Sequence, residues 1–279
     1  MECFIAVVEA GSFVAAGDAL RVSKAAVSRS VIALEARLGA RLLQRTTRRL
    51  SLTEAGEAYY ARCKQILADL DEADGAVGQV TGQPVGRLRI NVPVSFGILH
   101  LAPLWGRFMQ LYPEVALDVT LSDRFVDVVE EGYDAVVRIG RLDDSTLVSR
   151  QLARTRMVLC ATPEYLTRHG TPQALEDLMQ HRIISYAYAS SGDVWRFHRG
   201  DEVREIQLRA SFRTNNGDTC TAVALAHQGV VCQPDFLIYR ELRDGRLVEV
   251  LPDYPLGEVG IHVLYPSRKH LLVKVRAWV

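Results

Sequence analysis

Between Arg21 and Leu50 stand eight basic side chains, Arg21, Lys24, Arg29, Arg37, Arg41, Arg45, Arg48 and Arg49, against the single acid Glu35. The 279-residue chain around them balances 33 Lys and Arg with 33 Asp and Glu. Inside the window, SKAAVSRSVIALEARLG (residues 23–39) places Val27, Val31, Leu34 and Leu38 at i, i+4, i+7 and i+11, one apolar stripe of a helix. At about 100° per residue, Ala25 and Arg29 point away from that stripe, flanked by Ser28 and Ile32, with Lys24 at the edge of the first turn. Small side chains permit close approach to another surface, and Lys24, Ser28 and Arg29 supply donors near the positive end of the helix dipole. That chemistry suits a DNA major groove, with Arg pairing guanine O6 and N7 and Ser meeting phosphate or base edges. A plain solvated face is the alternative.

The flanking elements must position that helix. Met1, Phe4, Ile5 and Val8 fall at i, i+3, i+4 and i+7 of a first helix ended by Gly11. Ser12 is placed to cap a second, FVAAGDAL, with Phe13, Ala16 and Leu20 on one side, and Ser23 to cap the third. So short a turn makes a helix-turn-helix. RLLQRTTRRLSLT reads as a hairpin with Leu43, Leu50 and Leu52 inward and Thr46 to Arg49 at its tip. A basic tip there is a wing, with Arg45, Arg48 and Arg49 meeting phosphate or the adjacent minor groove. A dimer neutralising about six phosphates would lose affinity with salt at a log-log slope of about −5.

Tyr59, Cys63, Ile66, Leu70, Ala73, Val77 and Val80 follow at spacings of 4 and 3, the period of a coiled-coil seam. Thr53 serves as its N-cap, and Glu54 and Glu57 suit the first turn. The seam predicts a dimer, and a long helix packed on its own domain is the alternative. Gly78, Gly82, Pro84 and Gly86 form a hinge before LRINV, a buried strand. A helix (about 97–111), VALDVTL, a helix (about 125–131) and DAVVRIG continue a βαβ alternation. A second series starts near Ala161: strand RMVLCA, helix TPQALEDLMQH, strand RIISY, a strand-rich stretch to Asn215, helix GDTCTAVALAHQG, strand VVCQ, a helix and strand RLVEVL. GIHVLYPS and a final helix from about Lys269 return to the first lobe.

The run AGSFVAAGDALRVSKAAVSRSVIALEARLGARLLQRTTRRLSLTEAGEAYY resembles the winged helix-turn-helix of LysR-type transcriptional regulators. The family frame is roughly G-S-F-x-x-A-A, V-S-Q-x-A-V-S-R-x-I-x-x-L-E-x-x-L-G, L-F-x-R and L-T-x-A-G. Here Lys24 replaces the usual Gln, Ala25 a common Pro, Ser30 a frequent Gln or Arg, and Leu43 the usual Phe. The resemblance implies Ser23, Lys24, Ala25, Ser28, Arg29, Arg45, Arg48 and Arg49 as DNA-binding residues, and Tyr59, Cys63, Ile66, Leu70, Ala73 and Val77 as dimerisation residues. It implies a multidomain chain: a winged helix-turn-helix over 1–53, a coiled-coil linker helix and hinge over 54–86, and a two-lobed α/β effector domain like periplasmic binding proteins over 87–279. Lobe I would hold about 87–160 and 256–279, and lobe II about 161–255. Double-stranded operator DNA, a small-molecule effector, a homodimer or homotetramer and RNA polymerase are the implied partners. The resemblance further implies that a few residues preceding the first helix are missing and that KVRAWV stops inside the last helix.

Ligands of such sheets lie beyond the carboxyl ends of strands, where helix N-termini present free N–H groups. Those ends are Pro93 to Phe96, Arg138 to Gly140, Asn215 to Asp218, and Gln233 with Pro234. Ser95, Phe96, Arg138, Asn215, Asn216 and Gln233 are therefore the candidate effector residues, and helix N-termini plus Arg138 predict an organic or aromatic acid. Ser95 and Asn216 as mere N-caps, and Arg138 paired with Asp143 or Asp144, are the bland readings.

Other functions find less support. Five scattered cysteines without C-x-x-C argue against a disulfide framework or zinc ribbon, and Cys220 and Cys232 read as inert packing rather than redox sensors. Seven histidines show no metal spacing, so no cofactor or metal is expected. An apolar run of the roughly 18 residues that a membrane span needs is missing, and the default location is cytoplasmic. An enzyme reusing the two-lobed fold, with the basic region as a nonspecific nucleic-acid tether, is the rival reading. It would need a nucleophile or acid/base motif, yet the sequence holds no G-x-S-x-G, G-x-x-x-x-G-K or H-E-x-x-H. A DNA-compacting protein without effector would leave the α/β half unexplained.

Overall fold

The computed structural model describes residues 1–45, 50–64, 66, 83–140, 142, 147–189, 192–200, 202–266 and 271–279. It divides into two units, Met1–Gly86 with Val129–Gly132, and Arg87–Val128 with Tyr133–Val279.

In the first unit, α1 (Glu2–Ala10), α2 (Phe13–Leu20) and α3 (Lys24–Leu38) form where the apolar spacing places them. Gly11 adopts the left-handed φ of 61° that closes α1. Ser12 Oγ accepts the Val14 N–H and Ser23 Oγ accepts the Ala26 N–H, each at 3.2 Å. Phe4, Ile5, Val7, Ala16, Val27, Val31 and Leu34 make the core. Val7 rather than Val8 is fully buried, because α1 packs on both α2 and α3 and its covered face is wider than one stripe. Met1 and Leu38, at helix ends, remain exposed.

Strands β1 (Leu43–Arg45) and β2 (Leu50–Leu52) pair antiparallel, Leu43 opposite Leu52. Glu35, the one acid of the basic window, accepts the Leu42 and Leu43 N–H groups at 2.8 and 3.1 Å and so anchors the wing to α3. Helix α4 (54–64) starts on Thr53, whose Oγ1 accepts the Gly56 N–H at 2.9 Å. Gly56 is required here, since a Cβ would stand 2.0 Å from the Leu42 carbonyl oxygen.

The seam reading needs correction at its start. Cys63 is fully buried in this unit's own core, and Tyr59 packs there with its ring centroid 5.9 Å from that of Phe4. Helix α4 thus begins by covering a core that α1 to α3 leave open. Burial also raises the Cys63 thiol pKa. Ile66 is exposed. Leu70, Ala73, Val77, Val80 and the hinge glycines Gly78 and Gly82 lie outside the described residues.

The second unit is organised by β3 (Gly86–Val92), β4 (Val115–Leu121), β5 (Ala135–Gly140), β6 (Leu147–Ala161), β7 (Ile183–Tyr186), β10 (Ala210–Thr214), β11 (Val230–Pro234), β12 (Val248–Glu249) and β13 (Glu258–Pro266). Their order is β10-β7-β11-β6-β13-β5-β3-β4, with β12 also on β6. Strands β8 (Val194–Arg199) and β9 (Glu202–Gln207) form a separate hairpin. Strand β6 pairs with β13 up to Arg156 and with β11 from Met157, so the lobes change over inside this strand, earlier than Ala161. Its first half is polar and exposed, which hid it from a search for apolar runs.

Helix α5 runs from Val94 to Leu111 through a π turn at Gly97–Leu101, starting three residues before the expected position. Residues 125–131 form loop and turn instead of a helix: Val126 and Val128 pack towards Val136 and Leu264 while Phe125 and Val129 stay exposed, and so short a stretch has little to hold it helical. In lobe II, α6 (Pro163–His169), capped by Thr162, follows β6. TPQALEDLMQH shortens to a 3₁₀ turn, Leu175–Gln180, because Asp177 ties off the Gln173 and Ala174 N–H groups at 2.8 and 2.9 Å. Helices α7 (Gly217–Leu225), α8 (Asp235–Arg243) and α9 (Val273–Trp278) complete the unit. Leu159 and Ala161 enter one core of lobe II while Val158 and Cys160 enter the other, the alternation of a sheet covered on both faces.

Gly56→Ala should lower the unfolding free energy of the winged unit by about 1–3 kcal/mol through overpacking. Urea denaturation followed by helix signal checks it; an unchanged midpoint would show that α4 does not press on Leu42.

Candidate functional sites

The first site is the outer face of α3. Ser23, Lys24, Ala25 and Arg29 are exposed and Ser28 is half-buried, while Val27, Val31 and Leu34 hold the opposite face in the core. Among the described residues neither the Lys24 nor the Arg29 side chain makes a hydrogen bond or ion pair. The Arg37 charge, by contrast, acts on the Tyr59 hydroxyl, against the larger effect of burial. Ser23 spends its hydroxyl on the cap. The face therefore presents unpaired cations and small side chains at a helix N-terminus, ready for an anionic groove. Arg45 belongs to β1, and Arg48 and Arg49 lie outside the described residues.

The second site is a cavity of about 510 Å³ between the lobes of the second unit. Ser95, Phe96, Arg138 and Gln233 line it. Asn215 and Asn216 do not, a correction: Asn216 Oδ1 accepts the Thr219 N–H at 2.8 Å as the cap of α7, and Asn215 turns its amide towards the Tyr188 hydroxyl at 3.4 Å. Gly217 lines the cavity in their place. The buried Gln233 amide donates to the Gly217 carbonyl at 2.8 Å and to Thr221 Oγ1 at 3.3 Å.

Ser95 sits in the first turn of α5 and donates its hydroxyl proton to Asp218 Oδ2 across the cleft at 2.6 Å. Phe96 meets Phe236 edge to face, ring centroids 5.6 Å apart. Arg138 donates to Asn91 Oδ1 and to the Val137 carbonyl, both at 2.9 Å, and to the Arg124 carbonyl at 3.4 Å. Asp143 and Asp144, its alternative partners, lie outside the described residues.

The sequence reading missed Asp123 and Tyr186. Asp123 accepts the Val94 N–H at 2.9 Å, so an internal carboxylate occupies the helix N-terminus on which the organic-acid expectation rested. Burial raises its pKa, and the charge of Asp218 adds to that; hydrogen bonding and Arg138 oppose it. Tyr186, raised by burial and then by Asp123, faces it from lobe II. Both residues stand at carboxyl ends of strands, β4 and β7, so the rule that found Ser95 would have found them had it been applied to those two strands. Burial also pushes the Cys220 thiol up to about 11 and that of Cys232 up to about 12, leaving little thiolate for redox chemistry.

Residues 1–57 match the family described as Bacterial regulatory helix-turn-helix protein, lysR family, and residues 81–279 match the LysR substrate binding domain. The chain belongs to the LysR family of transcriptional regulators. This regulator is 39% identical over 272 residues to an uncharacterized HTH-type transcriptional regulator of Haemophilus influenzae, covering 98% of the chain and 94% of the relative. Its fold is similar to full-length AphB, a virulence activator of Vibrio cholerae, at a TM-score of 0.67 and 29% identity, over 99% of this chain and 94% of that one. CrgA, a LysR-type regulator from Neisseria meningitidis, gives a TM-score of 0.63 and 33% identity over the same shares. The regulator accordingly binds DNA, responds to a small-molecule effector and forms oligomers, as its family does, and the enzyme alternative falls.

Asn216→Ala should cost the effector domain about 1 kcal/mol through loss of the α7 cap, while Asn215→Ala leaves stability unchanged. Guanidinium titration of the two variants distinguishes them; equal losses would mean that Asn216 is no cap.

Proposed function

We propose that this regulator reads its operator half-sites through residues 23–33, with Lys24, Ser28 and Arg29 at the groove, Ser23 and Ala25 allowing close approach, and Arg45, Arg48 and Arg49 of the wing on phosphate. The observation that supports this best is the outer face of α3, where Lys24 and Arg29 stand exposed and without an internal partner. A cation left solvated there costs little, and phosphates and guanine edges compensate it on binding. Residues 1–53 form the DNA-binding domain, 54–86 the linker and hinge, and 87–279 the effector domain. The dimer seam starts at Ile66 and continues through Leu70, Ala73 and Val77, since Tyr59 and Cys63 serve the winged core. Ser95, Phe96, Arg138 and Gln233 contact the effector in the inter-lobe cavity. The protein acts in the cytoplasm, where RNA polymerase is its partner at the promoter.

Footprinting of the chain's own upstream region across a salt series tests the reading. Arg29→Ala should lose about 1–3 kcal/mol of discrimination for a symmetric site while nonspecific binding persists. Sequence-indifferent binding that Arg29→Ala leaves unchanged would reduce the basic patch to general electrostatics and overturn it.

A further inference from the structure

The cavity's polar end carries information about the effector's chemistry. Asp123 lines it from lobe I, after β4, and the exposed Asp218, in the first turn of α7 on lobe II, meets it at the Ser95 hydroxyl. Among the described residues neither carboxylate has a Lys, Arg or His nitrogen within 4.0 Å. The other two acids of the wall are already compensated: Glu205 pairs with Arg196 at 2.8 Å and Glu258 with Arg154 at 3.6 Å. Arg138 directs hydrogen bonds to Asn91 and to the Val137 and Arg124 carbonyls.

Two donors that an anionic ligand would use are committed, the Val94 N–H to Asp123 and the Ser95 hydroxyl to Asp218. Around these acids the wall is aromatic, with Phe96 and Phe236 edge to face and Tyr186 and Tyr188 edge to face at 6.0 Å between centroids. Asp123 and Asp218 are like charges that act on one another, with Arg138 beyond ion-pair distance, and both paired negative charge and aromatic faces attract a cation. Both features disfavour an acid at this end and favour its opposite.

We propose, resting on the effector reading above, that the cavity takes a protonated amine carried on an apolar or aromatic body, with the ammonium facing Asp123 and Asp218 and the body along Phe96, Phe236 and Trp195. A volume of about 510 Å³ is ample for such a molecule. An amino acid satisfies the same chemistry if its carboxylate turns to Arg138.

The test uses the full chain and a panel in which phenyl, indolyl and straight alkyl bodies each carry matched amine, amino-acid, alcohol and carboxylate heads, such as phenethylamine, phenylalanine, phenylethanol and phenylpropanoate. Titration calorimetry should find amines or amino acids binding at least about tenfold more tightly than the matched carboxylates. Asp123→Asn and Asp218→Asn should each erase that preference, with Asn at 123 still able to accept the Val94 N–H and keep the fold. Binding confined to carboxylates or alcohols, or an amine preference untouched by both variants, overturns the amine class and leaves the effector reading standing. Failure of every head, with operator binding unaltered by the whole panel, overturns both.

Discussion

One fifteen-residue strand carries the effector half of this regulator: β6 gives its first ten residues to the sheet of lobe I and its last five to that of lobe II. Backbone hydrogen bonding obliges it to have a partner along its length, and the partner changes from β13 to β11 at Met157. Where two strands that cannot both be its neighbour diverge, the sheet surface opens. The cavity lies there, with Met157 in its wall. Strand ends from both lobes converge on that gap, which is why Ser95, Asp123, Arg138, Tyr186 and Gln233 meet although none is a sequence neighbour of another.

The winged unit depends on a different economy. Its recognition helix is oriented by Val27, Val31 and Leu34 in the core, and Ser12, Ser23 and Thr53 cap the starts of α2, α3 and α4 locally. Glu35 contributes the long-range tie, holding two N–H groups at the start of the wing. A carboxylate in a basic surface would weaken attraction to phosphate if it faced outward; turned inward, it stabilises the wing and leaves the outer face cationic.

Cross-cleft interactions make the lobes a natural element for an effector to bias. The Ser95 hydrogen bond to Asp218 and the Phe96 contact with Phe236 each represent on the order of 1 kcal/mol. A ligand that strengthens or replaces either alters the lobe equilibrium by a comparable amount. About 1.4 kcal/mol of such coupling is a tenfold change at the promoter.

The sequence by itself determined what short-range rules can write. The caps at Ser12, Ser23 and Thr53, the closing glycine at position 11, the stripe of α3 and the buried strand from Leu88 to Val92 all follow from residues within a turn or two of one another. Ser95, Phe96, Arg138 and Gln233 were legible as lining residues because cavities of such sheets open at strand ends. Only the tertiary structure decided that Asn216 is spent on its own helix, that Asp123 fills the N-terminus of α5, and that Tyr59 and Cys63 close a core instead of a dimer seam. A 3.5-residue period specifies an apolar face but not what covers it. Ser95 and Asp218 stand 123 positions apart, and no local pattern encodes a contact made only when two lobes, each folded on its own core, are joined by a common strand.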